Sequence, residues 1–64
     1  MKDHVLFYST NRYHIMLEII SDTLTIVVYD KSGEDWEEVA KGIYNLLTYT
    51  HLAAFKHLRK TFNI

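Results

Sequence analysis

The 64-residue chain has no cysteine, no proline, two glycines and a net charge of only −1. Without cysteine there is neither a disulfide framework nor a thiolate metal site. A single core in a chain of this size is marginal, and domains below ~70–80 residues commonly need a staple or a partner subunit. Oligomerisation is therefore the expected stabiliser, and a homodimer the expected state. The absence of disulfides fits a cytoplasmic protein. Charge balance excludes nucleic-acid mimicry, which needs a dense acidic surface, and it also denies the chain the positive footprint of most nucleic-acid binders. No apolar run approaches the ~20 residues that span a bilayer. Met1-Lys2-Asp3 leads into an apolar stretch too short for a signal peptide. A soluble protein of one domain, residues 1–64, is the expectation.

What is present is dense in strand formers. His4 to Ser9 predicts a first strand, Thr10-Asn11-Arg12 a turn, Tyr13 to Ile20 a second strand and Thr23 to Asp30 a third. A two-residue hairpin at Ser21-Asp22 opposes Ile19 with Leu24, Leu17 with Ile26 and Ile15 with Val28, so that one face is wholly aliphatic. The other face opposes Glu18 with Thr25, Met16 with Val27 and His14 with Tyr29. In the first strand a two-residue turn puts Leu6 and Tyr8 on the core side, and a three-residue turn swaps them with Val5 and Phe7.

The second half, Gly33 to Ile64, reads as helix. Ser32 and Asp35 fit a capping box, acids crowd the first turns (Glu34, Asp35, Glu37, Glu38) and bases gather at the far end (Lys56, Arg59, Lys60), as the helix dipole favours. Trp36, Val39, Ala40, Ile43, Leu46, Leu47, Ala54 and Leu58 make one apolar stripe at helical spacing. Tyr44, Leu52, Phe55 and Phe62 make a second. A helix over 34–62 would run ~43 Å, against ~27 Å for an eight-residue strand. It must therefore overhang the sheet or break, and Thr48-Tyr49-Thr50-His51 is the weakest stretch.

The fold class expected is α+β: a three-stranded antiparallel meander with one long C-terminal helix packed on one face. The expected core is Ile15, Leu17, Ile19, Leu24, Ile26, Val28, Trp36, Val39, Ile43 and Leu47. This β-β-β-α order resembles several small bacterial and phage domains, a similarity of topology only. It is consistent with a small phage or mobile-element regulator that binds a host protein.

Motifs of chemistry are lacking. His51 and His57, six apart, lie on different faces of a helix and do not make a metal pair. The run Asp30-Lys31-Ser32-Gly33-Glu34 begins like a calcium loop, but its glycine is misplaced and Lys41 stands where a bidentate glutamate belongs. Ser9, Ser21 and Ser32 are explained by turns and a cap. The domain leaves little room for a pocket of ~300 Å³ or more. No enzyme, metal or cofactor is expected. The expected function is a protein-interaction module, self-associating through Tyr44, Leu52, Phe55 and Phe62, with a partner surface of Phe7, His14, Met16, Val27 and Tyr29. The alternative is a single-stranded nucleic-acid module that stacks bases on that outer face, with Arg12, Lys31 and Lys2 contacting phosphates.

Overall fold

The computed structural model describes residues 3–64. Four strands, β1 (His4–Ser9), β2 (Tyr13–Ile20), β3 (Thr23–Asp30) and β4 (Glu37–Asn45), precede one helix, α1 (His51–Phe62). The sheet is antiparallel in the order β1-β2-β3-β4. The β2–β3 register is the one the aliphatic pattern predicts, from Ile20 opposite Thr23 to His14 opposite Tyr29. Ser21 closes that hairpin at φ 55°, a positive value that a two-residue hairpin demands of its turn. The β1–β2 turn holds two residues, Asn11 and Arg12, because the Thr10 amide donates to the Tyr13 carbonyl at 2.8 Å. Leu6 and Tyr8 thus share a face with Leu17 and Ile15, and Val5 and Phe7 lie on the opposite one.

The long helix is corrected. Residues 37–45 form a fourth strand, and only the last quarter of the chain is helical. The physical reason lies in β3. As an edge strand it would leave a row of buried-side backbone groups unpaired, and pairing them with 37–45 outweighs a helix propensity worth a few tenths of a kcal/mol per residue. The segment also alternates. Ala40, Gly42 and Tyr44 point inward opposite Val28, Ile26 and Leu24, while Lys41 and Ile43 point outward. Small inward residues carry little hydropathy, so the period of two is faint. A bulge at Val39 shifts the register between Val28 and Tyr29 and breaks the alternation further.

Four expected core residues leave the core with that correction: Trp36, Val39, Ile43 and Leu47 are 54%, 36%, 66% and 79% exposed. The capping box also goes. The Ser32 amide and hydroxyl donate instead to the Asp30 carboxylate, at 2.8 and 2.6 Å. The acids from Glu34 to Glu38 occupy the β3–β4 loop and the start of β4. The helix starts inside the stretch expected to break it: Thr50 is the N-cap, its hydroxyl accepting from the Ala53 amide. At the other end Asn63 adopts a left-handed C-cap and donates to the Arg59 carbonyl. Arg59 and Lys60 in the last turn suit the dipole.

The core is Ile15, Leu17, Ile19, Leu24, Ile26 and Val28 from the inner face of β2 and β3, with Ala40 and Tyr44 from β4 and Ala54 and Leu58 from α1. Ala54 and Leu58, four apart, are the buried stripe of a helix short enough to lie over the β4 side of the sheet. Tyr44 is tucked beneath it, its hydroxyl 3.1 Å from His57 Nδ1 and its ring edge-on to Tyr49. Burial, with Tyr49 adding to it, raises the pKa of the Tyr44 hydroxyl. No helix among the described residues is long and apolar enough to cross a membrane.

Candidate protein-interaction face

Among the described residues, one helix on one face leaves the other face of the sheet uncovered. Cross-strand neighbours on it are set by register: Val5, Glu18, Thr25 and Ile43 form one row; Phe7, Met16, Val27 and Lys41 the next; Ser9, His14, Tyr29 and Glu38 a third. Antiparallel sheets with one solvated face normally alternate polar residues there. Here Val5, Phe7, Met16, Val27 and Ile43 are contiguous, and Phe7 is 60% exposed. Val27 is buried without any covering layer, shielded only by its neighbours on the same face. The accessible surface, 4724 Å², exceeds the about 4,300 Å² expected of a monomer of this mass. The Cα atoms span only 15 Å in the thin direction. The molecule is a sheet with one side dressed.

An aromatic cluster anchors one end of this face. The His14 imidazole stacks on Phe7 at 5.4 Å and lies 4.8 Å from the Trp36 ring and 6.4 Å from Tyr29. Ser9 Oγ, 2.8 Å from His14 Nδ1, fixes the imidazole. Trp36 is delivered by the β3–β4 loop, whose entry is shaped at Asp30: its carboxylate accepts from both donors of Ser32 and from Arg12, 3.4 Å away. The hydrogen bonds from the Ser32 hydroxyl and amide, with Arg12 a smaller contribution, hold the Asp30 carboxyl below its ordinary pKa. With the folded value depressed, this contribution is full above the unfolded carboxylate range of about 4 and disappears as pH falls through the folded value. Asp30→Asn is expected to flatten that acid limb in thermal melts taken across the acidic range, and an unchanged limb would assign it to other carboxylates.

The five residues expected to make the partner surface, Phe7, His14, Met16, Val27 and Tyr29, lie together on this face. Val5, Trp36 and Ile43 join them. The last two were hidden by the helical reading of residues 34–62; the residual signal was a tryptophan set among acids in a glycine-led loop. Of the four residues expected to make a self-contact, three lie on α1 and one on β4. Tyr44 is buried within the fold, Leu52 and Phe55 line a groove on the inner face, and Phe62 lies exposed near the end of α1. Of the cations expected at a phosphate rim, Arg12 is engaged by Asp30, and Lys2 is outside the described residues.

The groove corrects a second expectation, that the domain has little room for a pocket. It measures about 570 Å³ and runs between α1 and the uncovered β1–β2 half of the inner face, walled by Tyr8, Tyr13, Leu17, Leu52 and Phe55. Its polar groups are those of Thr10, His51 and Arg59 besides the two tyrosine hydroxyls. No group of three metal-binding side chains occurs among the described residues. No protein-family model, no curated protein and no solved structure matches the chain.

Proposed function

We propose that the chain is a non-enzymatic protein-interaction module that receives a basic, apolar partner on its outer sheet face. The observation that carries this reading is Trp36, seated on His14 at the margin of the bare apolar face with Glu34, Asp35, Glu37 and Glu38 around it in sequence. A half-exposed aromatic anchor beside a contiguous apolar patch is the composition of an interface centre. Glu38, in the row of His14 and Tyr29, and the acids flanking Trp36 in sequence favour cationic partners and raise their rate of encounter. The face spans four strands at ~4.8 Å spacing and ~27 Å of length, about 500 Å² in plan on each partner, enough for a contact of ~1,000 Å².

The same aromatics suit base stacking, which is the competing reading. Phosphates would then have to lie beside Glu38, in the row of His14 and Tyr29, with Lys41 the cation in the adjacent row. Like-charge juxtaposition costs affinity, and single-strand binders track the backbone with a positive groove.

Trp36 is the sole tryptophan and therefore reports directly. An amphipathic leucine–lysine helical peptide is expected to shift its emission to the blue, saturably and less at high salt. A leucine–glutamate peptide of equal length should leave it unmoved. Reversing Glu38, the acid in the row of His14 and Tyr29, to lysine should weaken the first peptide by roughly threefold at low salt. Quenching by oligothymidylate with no response to either peptide would transfer the face to nucleic acid, and equal response to both peptides would remove the acids from the explanation.

A further inference from the structure

Among the described residues β1 and β4 are the outer strands of the sheet, and the two edges are built differently. The edge at β4 is defended: Val39 bulges out of register, Glu37, Glu38 and Lys41 carry charge along it, and the Asn45 carbonyl is taken by the amides of Thr48 and Tyr49. Bulges and charges are the usual means of keeping a strand edge from pairing with another chain. The edge at β1 has none of them. His4-Val5-Leu6-Phe7-Tyr8-Ser9 contains no acid, lysine, arginine, glycine or proline, runs without a bulge and is exposed along its whole length.

The direction of its backbone groups follows from the ladder. Antiparallel partners alternate between pairs that exchange hydrogen bonds and pairs that do not. The Thr10 amide donates to the Tyr13 carbonyl, so Thr10–Tyr13 is of the bonded type, and so are Tyr8–Ile15 and Leu6–Leu17. On the far side of β2 the Lys31 amide donates to the Arg12 carbonyl, which places Met16–Val27 and Glu18–Thr25 in the bonded class there. Both ladders agree. The amides and carbonyls of Val5, Phe7 and Ser9 therefore face away from β2, along the open edge.

We infer that β1 pairs antiparallel with β1 of a second copy, in the register that places Phe7 opposite Phe7, joining two sheets into one of eight strands. A two-fold axis normal to the sheet keeps both helices on the same side, so opposed residues must share a face, and the axis must run between a residue and its own counterpart. Centred on Phe7, all three outward residues are used: Phe7 bonds its own counterpart, and Val5 bonds Ser9 of the second copy twice over, giving roughly six backbone hydrogen bonds. Centred on Leu6, Val5 and Phe7 of each chain bond, and Ser9 falls opposite Asp3, which lies outside the strand. Side chains agree with the first choice. Phe7 meets Phe7 on the outer face and Leu6 meets Tyr8 on the inner, and no like charges oppose each other. Tyr8 already walls the inner groove, so Leu6 of the second copy would extend that wall. The pairing rests on the β1 backbone and not on the acidic and aromatic groups of the proposed partner face. The edges bury little area, and the dimer belongs to the weak, concentration-dependent class.

Sedimentation equilibrium from micromolar to millimolar chain should show the mass rise from 7.6 kDa towards twice that value. Amide exchange at the high end should slow at Val5, Phe7 and Ser9 and stay fast at Lys41 and Ile43. Chemical synthesis with N-methyl-Phe7 removes one outward donor and keeps the side chain, and it should hold the chain monomeric. Phe7→Lys, which sets two ammonium groups face to face, should do the same, with far-ultraviolet dichroism confirming that each variant is folded. A mass of 7.6 kDa at every concentration, protection along β4 in place of β1, or a dimer that survives N-methyl-Phe7 would each overturn the pairing. The Trp36 response to the cationic peptide is read separately, so failure of one proposal does not mimic failure of the other.

Discussion

Leu58→Ala is expected to lower the stability of the chain by about 2–5 kcal/mol, the range for a buried leucine whose surroundings cannot collapse into the space it leaves. Leu58 is fully buried, as are Leu24, Ile26 and Val28 on the sheet beneath. Only Ala54 is buried with it on the inner side of α1, so the grip of a twelve-residue helix is concentrated in one side chain. A helix of that length has almost no stability of its own in water. A domain of this size has roughly 3–10 kcal/mol in total, at ~0.05–0.15 kcal/mol per residue. The substitution therefore removes a large share of the whole, and the urea midpoint should fall steeply. Leu47→Ala supplies the contrast. Its side chain is 79% exposed in the turn before α1, and its loss should change stability by less than about 0.5 kcal/mol. A continuous helix from residue 34 would make both leucines core residues with comparable costs, so near-equal effects would contradict the fourth strand.

The pair of substitutions marks where the sequence was legible. Ile15, Leu17, Ile19, Leu24, Ile26 and Val28 are large, aliphatic and strictly alternating, and only one register of the Ser21-Asp22 hairpin gathers them on one face. Their placement needed no knowledge of the rest of the chain. Residues 37–45 have no such autonomy. Trp36, Val39, Ile43 and Leu47 satisfy a helical period because the bulge at Val39 and the small inward residues Ala40 and Gly42 mask the period of two. The reason those residues are small is tertiary: α1 rests on them. A strand added to pair β3 is selected by long-range hydrogen bonding, which local propensity does not encode. The same masking hides part of the candidate face. The outer-face residues on β1, β2 and β3 were readable from alternation, whereas Trp36 and Ile43 reach the face only through β4 and its loop. The acids from Glu34 to Glu38 acquire a different meaning as well: they flank Trp36 in the loop and the start of β4, with Glu38 in the row of His14 and Tyr29, and no longer complement a helix dipole.

Gly42→Ala tests the contact that hid the strand. On propensity alone the substitution should help, because alanine narrows the unfolded ensemble and is worth about 0.4–1 kcal/mol where the backbone accepts it. No positive φ stands in its way. The space does. A Cβ at residue 42 would lie 2.7 Å from Tyr44 Cε2, 2.9 Å from its hydroxyl oxygen and 2.8 Å from Leu58 Cδ1. Both neighbours are side-chain ends, but Leu58 is fully buried and Tyr44 nearly so, with its hydroxyl held near His57. Neither has an open direction in which to turn. Overpacking of this kind costs about 1–3 kcal/mol, so it outweighs the entropic gain and the variant should be less stable than the parent. The cause is separable by a double-mutant cycle. In Gly42→Ala with Leu58→Ala the methyl enters the space the leucine vacated, and the double variant should lose at least about 1 kcal/mol less than the sum of the single losses, as expected for residues in contact. Additive losses, or a single Gly42→Ala variant that melts higher than the parent, would mean that α1 does not rest on β4 at this point.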